Sequence, residues 1–376
     1  MPVDIIDIHA GGIPISIDLS KQVIDGLSRP TGEKEIPTML LYDEKGLRLY
    51  DDITTSATEY YLFAAEEEIL KTHADEIVGS MHRNRSDDEN PADEVVLELG
   101  SGSLRKTSHI LLGLSRYVDD SKMASPITYY ALDLEKRELE RTLGEIEASD
   151  IGRRLDGKVL IKGMWGTYDD GIKFIENGGL VHGGRVALSS SRGGSPASSV
   201  PLHIIFLGSS IGNFPRKDAA PFLRSLPLRP GAGDTLLLGL DHDNDKEKIE
   251  RAYNDCKGYT KRFKMNALKN AGRTLGDDSL FNEDKWEYIN IYTYAERCHE
   301  SYYRSKCSQT ITVPSDKKEF SFFEDEMIKI EESVKYSEAD AHALFSNGNL
   351  RPVQRWTDTK KQYSLWLLER PPLVVP

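Results

Sequence analysis

The segment Val95-Val96-Leu97-Glu98-Leu99-Gly100-Ser101-Gly102-Ser103-Leu104-Arg105-Lys106-Thr107 constrains the fold of this chain more than any other. An apolar run enters Gly-x-Gly and then a helix-forming stretch, the way a nucleotide-type site opens a parallel sheet. A dinucleotide fingerprint places a third glycine three residues on, where helix and strand close over a pyrophosphate; Arg105 stands there instead. Two glycines without the third suit a cofactor that brings an adenosine and a small polar tail. S-adenosylmethionine (SAM) is the commonest such molecule. Alone, the motif also admits another nucleotide, or a strand-turn-helix that binds nothing.

With 376 residues, 39% of them hydrophobic and 29% charged, the chain has room for a sizeable core in one large domain with an insertion, or in two domains. Its formal net charge of -13 repels phosphate backbones and anionic membranes, which argues against nucleic-acid and membrane partners. Cys256, Cys298 and Cys307 show no Cys-x-x-Cys spacing, so neither a disulfide framework nor a zinc site is indicated. His109, His182, His203 and His299 form no ligand spacing and read as structural, so no metal is expected. No basic-then-apolar leader is visible, and no apolar run approaches the ~20 residues that span a bilayer. The expectation is a cytoplasmic protein acting on a small molecule, as a monomer or homodimer.

Residues 1–82 read as an N-terminal helical region, with Ile69, Leu70, Ile77 and Val78 at helical spacing. Arg83 to Ala92 is a charged break through Pro91 and reads as an exposed loop. Strands and helices then alternate, with strands expected at Glu94–Leu99, Ile127–Leu132, Val159–Ile161, His203–Leu207 and Asp234–Leu240. That alternation predicts an α/β fold with a doubly wound parallel sheet over 83–241. Ser189 to Ser199 is rich in Gly and Ser and reads as a surface loop. Residues 242–332 are too many for a connection and are expected to form an inserted lobe. In 333–376, Ser337-Glu338-Ala339-Asp340 reads as an N-cap with an acid at N3, ahead of the helical pattern Ala341–Phe345. Asn347-Gly348-Asn349 supplies a stop, and Pro352–Trp356 and Tyr363–Glu369 follow as an antiparallel pair. Five parallel strands closed by a helix and such a pair match a seven-stranded class I SAM-methyltransferase sheet. An NAD-binding fold would continue with parallel crossings.

Asp133, ending the second strand, is placed for both ribose hydroxyls of a nucleoside, or for the N-cap of the helical stretch Leu134–Leu143. Lys106 can pair with a cofactor carboxylate or stand solvated in a first helical turn. Gly208-Ser209-Ser210-Ile211-Gly212-Asn213-Phe214 follows the fourth strand, where open α/β sheets present their ligands. Asn213 there offers an amide that accepts from an amine or donates to a carboxylate; a plain Asn in a tight turn is the other reading.

Together these segments resemble the histidine-specific, SAM-dependent amino-acid α-N-methyltransferases, and the likeness covers nearly the whole chain. It is carried by Leu41-Tyr42-Asp43-Glu44-Lys45-Gly46, Glu59-Tyr60-Tyr61, Glu98-Leu99-Gly100-Ser101-Gly102 and Tyr129-Tyr130-Ala131-Leu132-Asp133. It continues through Gly166-Thr167-Tyr168-Asp169-Asp170-Gly171, Leu207-Gly208-Ser209-Ser210-Ile211-Gly212-Asn213 and Ala252-Tyr253-Asn254-Asp255. The resemblance implies that Gly100, Gly102 and Lys106 contact SAM, with Asp133 on the ribose and Thr167 and Tyr168 beside the adenine. Bacterial relatives carry an Asp-Phe pair in place of the last two. It further implies that Asn213 and Tyr60 hold the substrate's α-amino and carboxylate groups, with Tyr253 on the carboxylate. Tyr42 and Glu300 would face the side-chain ring. The second ring-reading position in the bacterial enzyme is a small hydroxyl residue, where Tyr302 stands here.

The implied activity is SAM-dependent α-N-methylation of an aromatic amino acid. The chain ends soon after the closing strands, without the sulfur-transfer module of fungal ergothioneine enzymes, which points to an indole substrate. 4-Dimethylallyltryptophan or tryptophan in fungal indole alkaloid synthesis leads, and histidine is the alternative. A catalytically silent SAM-binding paralogue is the reading from another class, against which the glycine turn, Asp133 and Asn213 all stand intact. A nicotinamide oxidoreductase is disfavoured by Arg105 and by the antiparallel finish.

Overall fold

The computed structural model describes residues 3–9, 15–83, 94–121, 126–182, 185–186, 200–315 and 317–372. The loops expected at Arg83–Ala92 and Ser189–Ser199 lie, apart from Arg83, outside the described residues. In chain order the first strands are β1 (Ile5–Asp7), β2 (Val95–Leu99), β3 (Ile127–Asp133), β4 (Val159–Trp165), β5 (Val181–His182), β6 (Arg185–Val186), β7 (Leu202–Phe206) and β8 (Thr235–Asp241). They continue as β9 (Trp286–Thr293), β10 (Cys298–Ser305), β11 (Gln309–Thr312), β12 (Glu319–Phe322), β13 (Met327–Val334), β14 (Arg351–Thr357) and β15 (Tyr363–Glu369).

The chain divides into two compact units: Met1–Ala10, Leu62–His242 and Tyr336–Pro376 form the first, Gly11–Tyr61 and Asp243–Lys335 the second. The first unit is built on one sheet in the order β1-β4-β3-β2-β7-β8-β15-β14. Strands β1, β4, β3, β2, β7 and β8 run parallel, and β15 and β14 close the far edge antiparallel. Every residue of β2, β7, β8 and β15 is buried, which is why they read as near-continuous apolar runs rather than alternating ones. This is the α/β doubly wound sheet of the class I SAM methyltransferases, with all seven expected strands in place.

An eighth strand was not legible. β1 is only three residues long, too short for periodicity to register, and adds in parallel to β4 with Ile5 opposite Gly163. A Cβ at Gly163 would stand 2.9 Å from Ile5 Cγ1, so the glycine makes room for the added strand. The helix Tyr61–Met81 buries Ile69, Leu70, Ile77 and Val78 in the core of the first unit, so the division of the chain falls at Tyr61/Leu62 rather than near residue 82. At the other end, the Ser337 hydroxyl accepts from Asp340 N–H in a reciprocal capping box that opens the helix Glu338–Asn347, and Gly348 ends it.

The second unit carries an antiparallel sheet in the order β13-β10-β9 and the hairpin β11-β12. The helices Glu44–Ser56 and Tyr259–Thr274 pack together there, with Asn266 donating to Asp43 Oδ1 at 2.8 Å and Asn270 to the Leu40 carbonyl at 2.8 Å. Its core centres on Phe263, Trp286, Tyr303 and Phe322. Lys34 and Glu326, both buried, form an ion pair of 2.6 Å that ties the N-terminal segment to the later one.

Candidate functional site

In the first unit the expected cofactor residues gather at the carboxyl ends of the parallel strands, where open α/β sheets bind ligands. β2 runs into Gly100 and Gly102, with φ of 71° and 53°, a left-handed turn that glycine adopts without strain. A Cβ at Gly100 would lie 2.7 Å from Tyr168 Oη, so the position has no space for a side chain either. Asp133, half-buried at the end of β3, accepts from Gly102 N–H at 2.9 Å and from Leu134 N–H at 2.7 Å. Burial pushes its carboxyl up, against the pull of those N–H groups. It is not the N-cap of the following helix, Lys136–Ala148, where Glu135 stands.

Lys106 is not solvated: its ammonium pairs with Glu66, whose side chain is fully buried, and lies 5.1 Å over the Phe63 ring. Thr167 caps the helix Tyr168–Glu176 in a reciprocal box with Asp170, so its hydroxyl serves the helix terminus. The Tyr168 ring stands edge-on to Phe206 at 5.5 Å, and burial holds its phenol above the usual range. Asn213 ends the tight turn Ser210–Asn213, entered through Gly208 and Ser209 at φ 74° and 54°. Its side chain makes no hydrogen bond among the described residues. Glu98, buried before the glycine turn, accepts from Thr107 at 2.7 Å and from Tyr129, and burial pushes it up to about 7.

This group fits an adenosyl cofactor. A Cβ at Gly102 would meet nothing within 4 Å, so the turn opens onto free space. Asp133 Oδ2 accepts from Gly102 N–H and Oδ1 from Leu134 N–H, with Glu135 N–H also acting on the carboxylate, which leaves acceptor capacity for a hydroxyl.

In the second unit Tyr42, Tyr60 and Tyr253 belong to one aromatic array. Tyr60 Oη lies 3.1 Å from Tyr50 Oη, and its ring meets Tyr253 edge-on at 6.1 Å. Tyr42 packs edge-on against Tyr50 at 6.5 Å and Phe263 at 5.8 Å. Desolvation, then the neighbouring Tyr50 and Tyr253, raises the Tyr60 phenol well above its ordinary value. The Tyr253 ring stacks on His299 at 3.9 Å, while its hydroxyl accepts from Lys335 at 2.8 Å and lies 2.9 Å from Ser333 Oγ.

Glu300 and Tyr302 are not brought to this array. Alternation along β10 puts His299, Ser301 and Tyr303 on one face and Glu300 and Tyr302 on the other. Glu300 there pairs with Lys329 at 2.8 Å, which also holds Glu332 at 2.5 Å. The register instead sets Glu331 and Ser333 opposite Ser301 and His299, on the face of Tyr253. Glu331 pairs with the buried Lys264, whose ammonium is disfavoured by desolvation. His299 is buried and held well below its ordinary value, first by desolvation and then by Lys335 and Lys264, so its ring is neutral. Glu331 and Ser333 were not among the residues expected at the site.

Away from both groups, His82, Glu94 and His203 bring ligand-type atoms within 4.8 Å of one another. His82 bonds directly to Glu94 and to the Val78 carbonyl at 2.6 Å, and His203 Nδ1 lies 2.8 Å from Thr235 Oγ1. Burial pushes His203 down to about 3.

The sequence profile of the family described as histidine-specific methyltransferase, SAM-dependent, matches residues 19–370. An L-tryptophan methyltransferase of Psilocybe serbica is 36% identical over 92% of this chain and 91% of its own length. Ergothioneine biosynthesis protein 1 of Neurospora crassa is 34% identical over 98% of this chain, which spans 36% of that longer protein. A 4-dimethylallyltryptophan N-methyltransferase of Epichloe festucae var. lolii is 27% identical over 89% of this chain and 90% of its own.

Proposed function

Because the chain belongs to the histidine-specific, SAM-dependent methyltransferase family, we propose that it methylates the α-nitrogen of an indole amino acid, L-tryptophan ahead of its 4-dimethylallyl derivative. The class is not in question: the chain is a SAM-dependent N-methyltransferase of the aromatic and histidine amino-acid type. The observation that carries the finer reading is the aromatic array Tyr42, Tyr50, Tyr60, Phe263 and Tyr253. It offers edges and faces to a bicyclic ring, and Glu331 offers an acceptor for an indole N–H. The identity to the tryptophan enzyme, 36% against 27% for the dimethylallyltryptophan enzyme, supports the unprenylated substrate. Histidine is the second reading, favoured by the 34% identity to the ergothioneine protein.

SAM supplies a methyl group already activated on a sulfonium, so the chain has to present a neutral amine in line with it. An α-amino group titrates at roughly 8 or above, so it must lose its proton before attack. In this proposal Asn213 and Tyr60 hold the substrate's α-amino and carboxylate groups, and Tyr253 donates its O–H to the carboxylate. Tyr60, its phenol held far up, is a neutral hydroxyl at physiological pH and not a phenolate base. Orientation therefore carries the catalysis. Gly100, Gly102 and Asp133 hold the nucleoside, Lys106 its amino-acid tail, and Tyr168 with Thr167 lies beside the adenine. Glu331 and Ser333 take the ring-reading roles first expected of Glu300 and Tyr302. Replacing Asn213 with Ala is expected to lower turnover of L-tryptophan about 100-fold while SAM still binds. Near wild-type turnover would show that the amine is held elsewhere.

A further inference from the structure

We propose that Glu66 is a positioning residue, whose carboxylate locks the Lys106 ammonium and the Gly208–Asn213 turn into one cluster. This rests on the assignment of Lys106 to the cofactor tail and Asn213 to the amine.

Glu66 sits on the helix Tyr61–Met81 between Ala65 and Ile69, on the face that enters the core. An acid there breaks the apolar pattern of the helix, and such local conflicts mark functional positions. The residue is 0% exposed. A carboxylate so buried persists only when its lone pairs are filled and its charge is matched. Here Gly208 N–H donates to Oε1 at 2.9 Å and Oε2 at 3.0 Å, Tyr363 Oη donates to Oε1 at 2.7 Å, and Lys106 pairs with Oε2.

The surrounding sheet is shaped to this carboxylate. Gly239 interrupts the leucine run of β8, where a glycine otherwise weakens a strand. A Cβ at that position would stand 2.3 Å from Glu66 Oε1 and 2.4 Å from Tyr363 Oη. An ordinary core ion pair satisfies its own charges and lone pairs. This one also grips the first N–H of the turn that ends at Asn213, where Gly208 and the non-glycine Ser209 are both left-handed. One side chain thus sets the position of a cofactor contact and of an amine contact together.

The test is a double-variant cycle read by calorimetric SAM affinity in the folded full-length protein. Glu66→Gln keeps shape and an acceptor for Gly208 N–H but turns an amide toward Lys106, so SAM Kd is expected to rise about tenfold. In the Lys106→Met background the same change should move Kd by less than about twofold, because the cation it positions is gone. Gly239→Ala, which crowds the carboxylate without removing its charge, is the second route and should also weaken SAM binding. Equal losses in both backgrounds, or wild-type affinity in folded Glu66→Gln, would overturn the proposal. Cofactor affinity does not depend on which amino acid is methylated, so a wrong substrate assignment leaves this result readable.

Discussion

Lys264→Met isolates the electrostatic cost hidden in the second unit. Lys264 and Glu331 are 2% and 6% exposed, and the pair brings both charges out of water together. Methionine keeps the length and apolar stem of the lysine and gives up the ammonium that lies 5.1 Å over the Phe263 ring. What remains is a buried carboxylate without its cation, and breaking such a pair costs about 3–5 kcal/mol. For a unit of this size that corresponds to a fall in melting temperature on the order of 10 °C. Lys264→Met/Glu331→Gln removes both charges and should recover most of the loss, since neutral replacement of a buried pair costs roughly nothing. Thermal melts of the two variants beside the wild type, at one pH and salt, decide the matter. A single variant melting with the wild type, or a double variant no better than the single, would refute the reasoning.

The two faces of β10 separate by kinetics: Glu331→Gln should raise the amino-acid KM more than about tenfold, and Glu300→Gln should leave it within about twofold. The opposite pattern would return the ring contact to Glu300. His203 gives the fold an acid limit. Its folded value lies near 3 against an ordinary 6.5, so the unfolded chain takes up the proton first. Its contribution is therefore complete above about pH 6.5 and shrinks as pH falls, by up to about 1.4 kcal/mol per pH unit. His203→Gln should flatten the decline in melting temperature between pH 7 and pH 5, and an unchanged slope would place the acid sensitivity elsewhere.

The sheet was legible because its central strands are covered on both faces and write themselves as apolar runs. β1 escaped through brevity, and β4 was read short because Lys162 and Gly163 break its pattern before Trp165. The residues expected at the cofactor gather at one end of the sheet because the runs fix where its strands stop. The inserted lobe was harder for a physical reason. β13 buries Glu331 and Ser333 as well as Ile328 and Ile330, so polar residues stand where a core pattern would be apolar. The same conflict hid Glu66, an acid on the buried face of its helix. Glu300 was chosen on local wording, but strand alternation, which only the register reveals, turns it away from Tyr253.

The central claim, that the chain transfers a methyl group from SAM to the α-nitrogen of an indole amino acid, is tested most directly by one incubation series. Purified protein and SAM are combined separately with L-tryptophan, 4-dimethylallyltryptophan and L-histidine, and the products are fragmented by mass spectrometry to locate the added methyl. The account predicts methylation on the α-nitrogen of L-tryptophan at the highest kcat/KM of the three. Exclusive methylation of histidine, or a methyl found on a ring atom, would contradict it.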